Sequence, residues 1–222
     1  MININALKTG EASIVLLLLV LILEGPVRLF LQPDPWLLHP THWYFNQPTR
    51  LLVELTVVIV ALLVLYKSFA RLLFIHKTYI PLMIVASLSS ALIFAILELE
   101  QLKESFNTPL GNIMLWLMTG FIIGVGQEVV YRGLLFTSLT AYFTARGSSL
   151  ITTLIFVIAP LHSIRLWELY KLEEYHVVLI LITIYVAVSF LFQWLRDKSN
   201  SIIVPGVVHG VGNAITWLAV FS

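Results

Sequence analysis

The sequence predicts an all-α, polytopic transmembrane helix bundle of about seven to eight spans, and three observations carry that prediction. The chain of 222 residues is 59% hydrophobic and only 11% charged, whereas soluble domains are about 45–50% apolar and about 25% charged. Its mean hydropathy is +0.94. The apolar residues are gathered into runs of about 20 residues, the length a helix needs to cross a bilayer. A single integral membrane domain over residues 1–222 is expected, with N-terminal spans in 1–105 and a motif-bearing core in 110–222. The net charge of +1 gives no electrostatic case for binding nucleic acid. Cysteine is absent, which excludes disulfides, a thiol nucleophile and thiolate metal sites.

The first apolar run, Ala12 to Leu23, follows a short polar segment carrying Lys8 and has the length of a signal-peptide core. No small-residue cleavage site follows it. Glu24-Gly25-Pro26-Val27-Arg28 does, so a retained anchor over 11–31 is expected. Further spans are expected over 51–75, 79–98, 110–144, 149–165, 176–195 and 202–221. The fourth is too long for one straight crossing. Either it bends near Gly124 and Gly126, or it is two elements with a motif at the junction, which makes the count eight. Residues 32–50 read as a connector rich in proline and aromatics, suited to the headgroup interface. Residues 163–175 alternate apolar and charged residues at near-helical spacing and read as a short interfacial helix.

Basic residues in short loops set orientation. With seven spans, Lys8, Lys67, Arg71, Lys77, Arg146, Arg196 and Lys198 fall on one side, and Arg50, Lys103, Arg165 and Lys171 on the other. That bias places the N-terminus in the cytoplasm. Among the remaining polar residues, Glu24 and Arg28 are expected to pair at the interface, Glu54 to be water-accessible, and Glu98 and Glu100 to close the third span. His39, His42, His76 and His176 read as loop or boundary residues.

Two polar clusters sit inside apolar runs: Gln127-Glu128-Val129-Val130-Tyr131-Arg132 and His209-Gly210-Val211-Gly212-Asn213. A charge at bilayer depth costs several kcal/mol and is kept where it does chemistry or transport. Glu128 and Arg132 are four apart and share a helical face, either as a buried packing pair or as part of a site. His209 and Asn213 are also four apart. An imidazole can move a proton and an amide can donate to an oxyanion, although both also glue membrane helices together. His162 ends another apolar run. Together these residues suggest a catalytic site built inside a membrane bundle.

In their order along the chain, these residues resemble the CAAX-protease and bacteriocin-processing family of glutamic-type intramembrane peptidases, called CPBP or Abi. That family's pattern is Glu-Glu-x-x-x-Arg, a His closing a Phe-containing helix, and His-x-x-x-Asn. The matching positions are Gln127, Glu128 and Arg132, then His162, then His209 and Asn213. Tyr131-Arg132-Gly133 and the Pro-Gly-Val-Val-His run at 205–209 are also similar. The resemblance covers about residues 110–220. It implies a CAAX-protease-like core and an endopeptidase that cuts a membrane-anchored protein or peptide near its C-terminus, as in removal of a sorting or anchor segment. A glutamate at position 127, helped by a His, would activate water; His209 and Asn213 would hold the oxyanion; Glu128 and Arg132 would order the site. No cofactor and no metal are expected, because the His and Glu residues lack a compact metal-binding spacing. The expected setting is a prokaryotic inner membrane.

Two departures stand out. Gln127 replaces the first glutamate, and an amide can orient water but cannot deprotonate it. A deliberate inactivating substitution, a natural pseudoenzyme and an active variant that relies on Glu128 each account for this. The first is preferred, because the swap keeps shape, removes the base and leaves the other polar positions intact. A non-catalytic scaffold, immunity or regulatory protein that binds a transmembrane peptide is the alternative reading. The second departure concerns phenylalanine. The family's Phe lies four residues before the His; Ile158 stands there, and Phe156 lies six before.

Overall fold

The computed structural model describes residues 10–31, 46–105 and 107–221, and among these every regular element is helical. Ten α-helices follow one another: α1 Gly10–Ile22, α2 Gln47–Phe69, α3 Ile80–Leu97, α4 Leu99–Ser105, α5 Leu110–Glu128, α6 Phe136–Leu139, α7 Ala145–Val157, α8 Pro160–Lys171, α9 Tyr175–Ser199 and α10 Ile203–Phe221. Two π-helical stretches, Leu23–Leu31 and Val129–Leu135, continue α1 and α5. Six helical stretches are long and apolar enough to cross a membrane, or seven when the pair Ala145–Val157 and His162–Lys171, bent by 52°, counts as one. Large apolar side chains such as Ile84, Leu88, Leu92 and Leu154 stand exposed along these helices. Water would not tolerate so much apolar surface, and lipid does. The chain is an integral membrane protein.

Local chemistry sets the helix ends. The Asn46 side chain accepts from the Thr49 amide at 3.1 Å, and Pro48 fits the first turn of α2. Thr144 caps α7 by accepting from the Gly147 amide at 3.2 Å. Pro160 opens α8 where its missing N–H is not needed. The left-handed residues Glu173 (φ 63°) and Asn200 (φ 49°) lie at the ends of α8 and α9. Pro26 sits inside the first π-helical stretch. A proline cannot donate to the helix ladder and crowds the preceding turn.

Several expectations are refined. The fourth span is one helical stretch of 30 residues, Leu110–Leu139, and its irregularity is the π-helix at the motif itself rather than a bend at Gly124 or Gly126. The expected span over 149–165 is broken after Val157, so His162 shares α8 with the charged stretch predicted as an interfacial helix. That helix ends at Lys171, with a turn through 172–174. Residues 32–45 of the predicted connector, including His39 and His42, and Lys8 lie outside the described residues. From Gln47 the chain is already helical, so Arg50 belongs to α2 and not to a loop.

The chain divides into two compact units. In one, residues 45–130 and 195–222, α10 packs along α5 and against α3, while α2 packs on α5. Ser105 ties α4 to the end of α10 through the Leu218 carbonyl, at 3.3 Å. The Ile202 amide donates to Leu72 O at 2.9 Å at the other end. The other unit comprises residues 131–194 with 1–44. There α6 packs on α1 and α7, and α8 meets both α7 and the 23–31 π-helix.

Candidate active site

Gln127, Glu128, His209 and Asn213 lie in the first of these units, and Arg132 and His162 in the second.

In the first unit, α10 crosses α5 in the antiparallel sense. Gly124 faces His209 and Gly210, and Gly120 faces Asn213 and Ala214. A Cβ on Gly124 would stand 2.7 Å from Gly210 Cα, and one on Gly120 2.6 Å from the Asn213 carbonyl oxygen. Helix backbones approach this closely only where the side chain is reduced to hydrogen. This contact sets His209 Nδ1 2.8 Å from Glu128 Oε1, and both side chains are buried. A carboxylate removed from water needs such a donor. With Nδ1–H committed to the carboxylate, the other ring nitrogen, Nε2, is left to accept or donate a proton. Asn213 follows one turn along α10 and is half-buried. Gln127 is 1% exposed, and its amide oxygen has no hydrogen-bond partner among the described residues.

Behind Gln127, α2 closes on α5: a Cβ on Gly126 would meet Val58 Cγ2 at 2.7 Å. The buried line of α2 includes Arg50, Glu54, Val58, Ala61 and Leu65. Arg50 donates from Nε and Nη2 to Glu54 Oε1 at 3.0 and 2.7 Å. Glu54, expected to be water-accessible, is 1% exposed, because this pairing lets the carboxylate enter the interior.

In the second unit, Arg132 is wholly buried and donates from Nη2 to Ser189 O at 3.0 Å and Ser189 Oγ at 2.8 Å. Its guanidinium lies 4.7 Å from the Phe156 ring centre and 5.6 Å from that of Phe192, where the aromatic faces favour a cation. His162 donates from Nδ1 to Phe156 O at 2.7 Å and stacks on Tyr185 at 4.1 Å. Phe156 therefore packs on His162 (4.6 Å) although it lies six residues before it, because the break between α7 and α8 turns the chain back. Ile158, four before, is exposed.

Glu24 and Arg28 pair as expected, at 3.7 Å, and both are buried. Tyr131 of the motif donates its hydroxyl to Glu24 Oε2 at 2.8 Å, joining the two π-helical stretches. The signal for Arg50–Glu54 was the one that marked Glu128–Arg132, an ion pair at helical spacing inside an apolar run. Nothing in the sequence marked Ser189 or Tyr185. Among the described residues, no group of three His, Cys, Asp or Glu could hold a metal ion.

Residues 109–215 match the family model of Rce1-like type II CAAX prenyl endopeptidases, so this segment is a CAAX-protease-like domain. The match spans both polar motifs and His162. No curated protein and no solved structure matches the chain.

Proposed function

We propose that this chain is an intramembrane endopeptidase fold that takes a membrane-anchored protein or peptide near its C-terminus, and that with glutamine at position 127 it hydrolyses that substrate poorly or not at all. The buried Glu128–His209 pair supports the reading most directly. It holds one imidazole in a fixed tautomer inside an apolar helix pair, which packing alone does not require. In hydrolysis a water oxygen adds to the scissile carbonyl, the water gives up a proton, and the departing amine takes one. Glu128 orients His209 and stabilises the imidazolium formed when the ring takes a proton. When protonated, His209 donates from Nε2 to the oxyanion, with Asn213 one turn away as a second donor. His162, its Nδ1 held by a carbonyl, offers Nε2 as a proton acceptor. Arg132 keeps its charge on Ser189 and the ring faces and shapes the second unit. A glutamic-type mechanism would need its base at 127, and an amide cannot fill that role.

The family name points to a prenylated C-terminal tail as one substrate, and a C-terminal sorting helix is the other tail of suitable chemistry. The proposed setting is a prokaryotic inner membrane, and, with the bent pair counted as a seventh span, the basic residues in the short loops favour a cytoplasmic N-terminus. The test compares the chain with its Gln127→Glu variant on a prenylated CAAX peptide and on a C-terminal transmembrane-anchor peptide. The variant is expected to cleave one of them about 100-fold faster or more. Cleavage no better than that of the unchanged chain would sink the assignment of the base. Gln127 also favours a second reading, a non-catalytic protein that binds transmembrane peptides; it predicts binding by both forms and cleavage by neither.

A further inference from the structure

Four membrane-length stretches have an end at one corner of the first unit. Gln47–Lys67 and Tyr175–Ser199 finish there, and Lys77–Leu97 and Ile203–Phe221 begin there. Two segments distant in sequence are tied together at this corner. The Ile202 amide and the Ser201 hydroxyl both donate to Leu72 O, at 2.9 and 3.2 Å. The turn between α9 and α10 is thereby fastened to the loop between α2 and α3.

The corner is basic. Lys67 stands in the last turn of α2, Arg71 and Lys77 in the loop, and Arg196 and Lys198 in the last turn of α9. Lys67, Arg71, Lys77 and Lys198 are exposed. Asp197 is the only acidic residue in 55–97 and 195–222, and Arg196 holds it at 2.8 Å. Among the described residues, the four exposed cations make no ion pair. Exposed lysines elsewhere are matched: Lys103 lies 2.7 Å from Glu100, and Lys171 2.7 Å from Glu168. The rings of Tyr66 and Phe74, neighbours of these cations in the chain, are exposed as well.

Helix ends explain part of this pattern. A cation in a last turn complements the helix macrodipole, which accounts for Lys67 and Lys198. Lys77 is different, because it precedes the first turn of α3, the positive end of that helix. Basic loops also orient a chain in the membrane, but that role does not require two loops to be fastened together. The span ends decide which anion fits. They place the corner at the level of the lipid headgroups, where an anionic leaflet attracts clustered Lys and Arg.

We propose that this corner binds the phosphate headgroups of anionic phospholipids through Lys67, Arg71, Lys77 and Lys198. The interaction is independent of the endopeptidase reading and stands whether or not the chain cleaves a peptide.

The full-length protein is placed in phosphatidylcholine vesicles with a trace of spin-labelled phosphatidylglycerol or spin-labelled phosphatidylcholine. Electron spin resonance then gives the fraction of each label immobilised on the protein. Both leaflets have the same composition, so orientation in the vesicle does not affect the reading. Phosphatidylglycerol is expected to associate about threefold more strongly or better. The preference is expected to vanish at about 1 M salt, where charges are screened within about 3 Å. The variant Lys67→Gln/Arg71→Gln/Lys77→Gln/Lys198→Gln is expected to lose it, and Lys103→Gln/Lys171→Gln to keep it. Equal association of the two lipids, a preference that survives salt, or one unchanged in the fourfold variant would each overturn the proposal. Displacement of the lipid by inorganic phosphate at constant ionic strength would assign the corner to a free anion and overturn it too. The salt series uses the unchanged chain, so it decides the matter even where the fourfold variant fails to fold.

Discussion

His209 Nδ1 lies 2.8 Å from Glu128 Oε1 where α10 crosses α5, and the carboxylate is wholly inside the protein. Removing the ring leaves that charge without its donor, which typically costs about 3–5 kcal/mol. His209→Ala is therefore expected to unfold at clearly lower temperature in detergent. Adding Glu128→Gln to it is expected to recover part of the loss, because the uncompensated charge is gone. Strict additivity in this double-mutant cycle would show that the two groups do not interact.

Arg50 and Glu54 form a second buried pair, on α2. Arg50→Ala or Glu54→Ala alone is expected to destabilise by about 3–5 kcal/mol. Replacing both, Arg50→Met with Glu54→Leu, is expected to be near neutral, since a buried ion pair recovers little beyond its own desolvation. Chemical unfolding of the four proteins side by side distinguishes these outcomes.

The glycines of α5 are not equivalent. A methyl at Gly124 would press on Gly210 Cα at 2.7 Å, whereas nothing lies within 4 Å of one at Gly111. Gly124→Ala is expected to cost about 1–3 kcal/mol by forcing the helices apart. Gly111→Ala is expected to gain about 0.5–1 kcal/mol by restricting the unfolded chain. Thermal midpoints measured under one set of conditions would order them.

Tyr131 donates to the buried carboxylate of Glu24. Tyr131→Phe removes that donor and is expected to cost about 1–3 kcal/mol. Glu24→Gln keeps an acceptor for the hydroxyl but leaves the buried Arg28 without its carboxylate, and is expected to cost more, about 3–5 kcal/mol. Equal losses for the two would mean that the pairing with Arg28 adds nothing beyond the hydrogen bond.

The helical class and the membrane setting were legible because runs of about 20 apolar residues have few other uses. The two polar motifs were legible because charge inside such runs is rare. Depth within the bundle was not. In lipid, the apolar residues that meet neighbouring helices and those that meet acyl chains are alike in polarity, so nothing in α2 tells that Val58 and Leu65 point inward while Leu52 and Leu63 point out. Counting four residues back from His162 also led to Ile158 rather than Phe156, because such counting assumes an unbroken helix and the chain turns between α7 and α8.

The π-helical stretch Val129–Leu135 carries a constraint that substitutions alone do not reveal. A π turn closes over one more residue than an α turn. Deleting a single residue there would remove the extra one and let the backbone relax to the commoner form with the helix beyond kept in register. Closing the stretch to an α turn without a deletion would instead rotate every later side chain on that helix by about 100°. A version of this chain one residue shorter across the stretch is thus expected to keep the faces of the helix that follows.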